Sequence, residues 1–120
     1  MSPTEVVIFA ERNGSAPLLR WLDGLKAKAR AKCIVRIERL AEMGHELHRP
    51  EADYLRDGIH ELRAKHEGVN YRVLYFFCGG GAVLSHGTTK EDTVPDREIE
   101  IALRGKALFE GDPDAHTYRE

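Results

Sequence analysis

Residues 58–77, GIHELRAKHEGVNYRVLYFF, constrain the fold more than any other segment of this chain. Side chains alternate along a strand, so Ile59, Glu61, Arg63 and Lys65 share one face, and His60, Leu62 and Ala64 share the other. In the following run Asn70, Arg72, Leu74 and Phe76 lie opposite Tyr71, Val73, Tyr75 and Phe77. Glu67-Gly68 suits a tight hairpin turn, because Gly accepts positive φ. That turn pairs residue 66 with residue 69 and places Arg63 directly across from Arg72. Like charges facing each other across strands cost a few tenths to about 1 kcal/mol. Either an anion or a carboxylate such as Glu61 offsets them, or the arginines lie on a solvated face. Beyond Arg72 both faces of YRVLYFF are apolar, so this strand is expected at the centre of a sheet.

The remaining elements follow from periodicity and punctuation. EVVIFA (5–10) reads as a short strand. Ser15 can cap a helix that Pro17 opens, with Leu18, Trp21, Leu22 and Leu25 on one stripe. A longer helix is expected over 27–43, with the Arg30 stem, Cys33, Ile34, Ile37, Leu40 and Ala41 inward and Gly44 as its stop. Lys26, Lys28, Arg30, Lys32, Arg36 and Arg39 decorate its other faces, either as a solvated surface or as a grip on a polyanion. Residues 46–57 read as a polar connection interrupted by Pro50.

After the hairpin, Gly79-Gly80-Gly81 marks a turn, not a phosphate cradle: it lacks the Gly-Lys-Ser/Thr sequel. A strand follows over 82–89. A three-residue glycine loop sets Thr88 opposite Arg72, with His86 and Lys90 on the same face; a two-residue loop turns them away. Pro95 opens a last helix whose inward stripe is Ile99, Ala102, Leu103 and Ala107. GDPDAHTYRE reads as a loose tail, in which His116 and Tyr118 could fold back towards the groove. The expected architecture is α+β, β-α-α-β-β-β-α, with a largely antiparallel sheet and helices packed on one face. It comprises one domain over 1–110 and a tail over 111–120.

At 120 residues the chain can bury roughly two-thirds of its unfolded surface and needs no staples. Its net charge of −2 conceals a segregation: residues 12–90 carry 14 Lys/Arg against 9 Asp/Glu, and residues 91–120 carry 4 against 9. A basic body suits a polyanion partner without requiring one. The longest apolar run is six residues, Val73 to Cys78, far short of a membrane span. With no leader ahead of the first strand, a cytoplasmic protein is expected. Cys33 and Cys78 have no ligand spacing, and no Asp, Glu or His cluster has it either. Reduced thiols and no metal or cofactor are therefore expected.

The order of elements, with ELR, YRVLYFF, the glycine turn and HG-x-x-K, resembles the RelE/ParE toxin superfamily over residues 5–109, and most nearly its phage-derived HigB-like branch. The resemblance implies the toxin of a type II toxin-antitoxin pair. Such a toxin would be a metal-independent endonuclease acting on mRNA at the ribosome, held inactive by an antitoxin of helix-turn-helix type, itself a monomer or dimer. By position it implies Arg63, Arg72 and Lys90 as the cationic residues of the site. Arg72 would clamp the transition state, Arg63 would position the backbone, and Lys90 would neutralise charge or move a proton. From its place on the strand, His86 is a further candidate acid or base near neutral pH. The branch commonly reads HGF-x-KK where this chain has HGTTKED, so Thr88, Glu91 and Asp92 remove an aromatic and a cation and add two acids. A ParE-like gyrase inhibitor, or a catalytically weak member that acts through antitoxin binding, is the alternative.

Overall fold

The computed structural model describes residues 3–89 and 92–120. Strand β1 (Val6–Ile8) leads into helices α1 (Pro17–Asp23) and α2 (Ala27–Met43). Strands β2 (Ala52–Arg56), β3 (Ile59–His66), β4 (Val69–Cys78) and β5 (Gly81–Thr89) follow, and helix α3 (Asp96–Gly111) closes the chain. One sheet runs in the order β1-β5-β4-β3-β2, with β4 at its centre and the β1–β5 pair parallel. This is the expected α+β, RelE-like arrangement with one strand more than anticipated.

That extra strand is β2. The 46–57 segment is not a plain connection: it pairs with β3 through a turn at Asp57-Gly58, both at positive φ. The first helix also differs in detail. Ala16, not Ser15, is its N-cap residue, and Pro17 is its first helical position.

Alternation assigns each face of the sheet to a different layer. Leu62, Ala64, Val73, Tyr75 and Leu84 pack with Leu18, Leu22, Cys33 and Leu40 of α1 and α2. Ile59, Leu74, Phe76 and Val83 pack instead with Ile99, Ala102 and Phe109 of α3. The helices therefore cover both faces, and the one-face expectation holds for α1 and α2 alone. A second close approach is built into β5: a Cβ at Gly87 would overlap the Trp21 ring, whose Nε1–H donates to Thr89 Oγ1 at 2.9 Å.

The C-terminal tail is docked. His116 is buried, stacks on Phe9 and donates from Nδ1 to the Ala10 carbonyl at 2.9 Å, while the Tyr118 N–H donates to the Ile8 carbonyl at 2.7 Å. It covers the β1 edge, at the opposite side of the sheet from β3. His116 and Tyr118 accordingly stay away from the arginine pair.

Candidate functional site

Turn chemistry sets the register that brings the two arginines together. Glu67 and Gly68 both take positive φ, His66 pairs with Val69, and Arg63 pairs with Arg72 as the alternation requires. On the other side of β4 the outcome is less direct. The glycine turn is a two-residue one, with Cys78 paired to Gly81, which by itself would turn Thr88 away. A bulge at Ser85 then inserts one residue and restores the phase, so Thr88 faces Arg72 and His86 faces Leu74.

The two arginines have different surroundings. Arg72 is buried: one guanidinium nitrogen donates to Glu61 Oε1 at 2.9 Å and another to the Asp92 carbonyl at 2.7 Å. Burial raises the proton affinity of Glu61, against the opposing pull of Arg72 and Arg63. Of the two arginines that Glu61 could offset, it is Arg72 that it pairs with. Arg63 is half-buried, and among the described residues no ion pair or hydrogen bond occupies its guanidinium. Its backbone is fixed instead: the N–H donates to the Glu51 carbonyl, and its carbonyl accepts from Arg36 Nε at 2.8 Å.

Two adjoining clefts share this pair. The larger, about 280 Å³, is lined by Arg36, Pro50, Arg63, Ala64, Lys65, Asn70 and Arg72, four cations with no acidic side chain among the described residues. The smaller, about 230 Å³, has mixed charge, with Arg49, Asp53, Glu61 and Asp92 around Arg63 and Arg72. Although burial opposes it, the Asp53 carboxyl is held below its ordinary range by Arg49, the Tyr54 N–H and Arg63. Arg36 and Arg39 are steadied by Glu51, which accepts from Arg39 at 2.9 and 3.2 Å.

The remaining candidates separate from this pair. Lys90 lies outside the described residues. His86 is buried, with Nε2 3.0 Å from Glu98 Oε1 and Nδ1 2.8 Å from Ser85 Oγ. Glu98 can only accept, so Nε2 carries the proton and the neutral ring accepts from Ser85. Burial lowers the proton affinity of His86, partly offset by Glu98. His86 lines neither cleft, so the geometry assigns it to anchoring α3 on β5 and not to acid–base chemistry. Arg36, which helical periodicity left either on a solvated face or in contact with RNA, lines the larger cleft. Its spacing on α2 could not reveal this, because the helix angle against β3 decides it.

Comparison with known families places the chain at a coarser level than this geometry. The family model described as "Phage derived protein Gp49-like (DUF891)" matches residues 20–106, which include every residue of both clefts. No curated protein matched the chain. The chain therefore belongs to the Gp49-like family of phage-derived proteins, a toxin-like family related to RelE.

Proposed function

We propose that this chain is the toxin of a type II toxin-antitoxin pair and that it cleaves mRNA on the ribosome in the manner of the HigB-like branch. The observation that carries this reading is the acid-free cleft, where Arg36, Arg63, Lys65 and Arg72 surround a space open to a phosphodiester. Guanidinium forks match phosphate oxygens in pairs, and a fixed cation is most effective where charge accumulates in the transition state.

In this reading the 2′-oxygen of RNA attacks the adjacent phosphorus. The 2′-O–P bond forms, the P–O5′ bond breaks, and a 2′,3′-cyclic phosphate and a 5′-hydroxyl result. Arg63, whose fork is open among the described residues, takes the phosphate; Arg72, locked by Glu61 and the Asp92 carbonyl, supplies fixed positive potential from below. Glu61 lines the smaller cleft, and its raised proton affinity suits it to receive the 2′-OH proton. Lys90 would serve the leaving oxygen. Membership of a toxin family implies an antitoxin, whose natural target is this same basic surface.

The neutralisation of Arg72 by Glu61 favours a second reading, a catalytically weak member that acts through antitoxin binding. Mapping mRNA 5′ ends in bacteria expressing wild type or Arg63→Ala separates the two. Codon-phased cuts that vanish in Arg63→Ala support the nuclease. Intact mRNA supports the weak member, and DNA damage with intact mRNA supports gyrase inhibition. Arg72→Ala is the poorer variant, because removing a buried ion-pair partner confounds folding with chemistry.

A further inference from the structure

Beside the acid-free cleft, β3 loses its outer neighbour. Strand β2 pairs as far as Ala52 with Leu62, the Arg63 N–H still donates to the Glu51 carbonyl just ahead of it, and beyond that point side chains of α2 meet the strand instead. Two α2 cations meet its outward carbonyls: Arg36 Nε donates to Arg63 O at 2.8 Å and Lys32 Nζ donates to Lys65 O at 3.3 Å. The result is a groove of about 300 Å³ lined by Ala31, Lys32, Val35, Arg36, Ala64 and Lys65. Three of these are apolar, three are cationic and none is acidic. Val35 is 48% exposed on an otherwise charged helix face, and Ile34 beside it is 42% exposed. Arg36, Ala64 and Lys65 also line the larger cleft, so the two spaces adjoin.

We propose that this α2–β3 groove is a second nucleotide subsite, which takes a base of single-stranded RNA next to the nucleotide held at Arg63. A floor of alanine and valine offers a dry contact to the face of a base, while Lys32 and Lys65 at the rim meet the flanking phosphates. The floor has no aromatic ring to stack on and no hydrogen-bonding side chain that reads a base edge, so the subsite adds apolar contact and register more than sequence choice. A duplex would keep its base faces stacked and could not use the floor. The proposal rests on the reading of the neighbouring cleft as an RNA-backbone site.

The test is fluorescence anisotropy with a labelled 2′-O-methyl hexanucleotide, which lacks the attacking hydroxyl, and with the corresponding dinucleotide. Val35→Asp is expected to weaken the hexamer about fivefold while sparing the dinucleotide, and Val35→Leu is expected to bind as wild type. Lys65→Gln should flatten the dependence of log affinity on log salt by about 0.7, the share of one phosphate contact on a single strand. Unfolding curves of the variants, which are at exposed positions, report whether the fold is intact. If Val35→Asp leaves the hexamer unchanged while Arg63→Ala weakens it, the subsite is overturned and the cleft stands. If Val35→Asp weakens it and Arg63→Ala does not, the groove binds RNA without the cleft, and both the cleft reading and the subsite as its neighbour fail. No effect of either overturns both.

Discussion

The α3-facing side of the sheet has two ends that share strands but not chemistry. At one end Ile59, Leu74 and Phe76 lie under Ile99, Ala102 and Phe109. At the other, past the start of α3 at Asp96, the same two strands present Glu61, Arg63, Asn70 and Arg72. Strand geometry is common to both, so the difference comes from where the covering helix begins. A sheet face with no lid can keep charge, and what it keeps is one locked arginine beside one open arginine. Arg72 is tied to Glu61 and the Asp92 carbonyl, and among the described residues the guanidinium of Arg63 has no such partner, which is why the proposed function turns on Arg63.

This contrast can be broken in graded ways. Phe76→Ala at the covered end should cost about 3–5 kcal/mol in urea unfolding, the range for a large aromatic removed from a packed core. If the protein still folds, its RNA affinity should be unchanged; a loss of binding without unfolding would show that the two ends are not separable. Arg72→Met strands the buried Glu61 carboxylate and should cost about 3 kcal/mol. Adding Glu61→Leu should recover most of that stability, and failure to recover it would mean that the pair is not what holds this end.

His86 gives a pH test of the junction between the ends. Its folded-state affinity for protons lies below the ordinary 6.5, so the unfolded chain takes up a proton that the folded one refuses. Stability is therefore complete above that ordinary value and declines as pH falls through it, by at most about 1 kcal/mol between roughly pH 7.5 and 5.5. His86→Gln should flatten part of the slope. His60, whose affinity is lowered by burial and by His45, adds to the slope, and Glu61, whose affinity is raised by burial, opposes both, so the His86 contribution is read from the difference between wild type and His86→Gln. Equal slopes in the two proteins would contradict this. Smallest of all, Arg63→Ala should leave stability within about 0.5 kcal/mol of wild type.

Much of this contrast was legible in the residues. The Glu67-Gly68 turn and the two-residue alternation suffice for the Arg63–Arg72 pairing, and the apolar excess of YRVLYFF suffices for its central place. Strand β2 escaped notice because ADYLR is a polar edge segment; Asp57-Gly58 was its signal. The bulge at Ser85 is invisible to counting, since the loop length and the bulge cancel in the final phase. Helical periodicity yields Ile99 and Ala102 of the α3 stripe, but Ala107, expected inward, is exposed, Phe109 takes the buried place, and the side of the sheet that the helix covers is not given by it. Nor can alternation choose between Arg63 and Arg72 as the partner of Glu61, because all three share a face and only the diagonal geometry decides. The tail looked loose for want of apolar residues, yet a single histidine stacked on Phe9 seats it.

The most direct test of the account is the salt dependence of single-stranded RNA affinity for wild type and Arg63→Ala, measured on proteins with matching unfolding curves. The account predicts a steep slope for wild type, a slope smaller by about 0.7 for the variant, and weaker binding at every salt concentration. Equal slopes and equal affinities would contradict it.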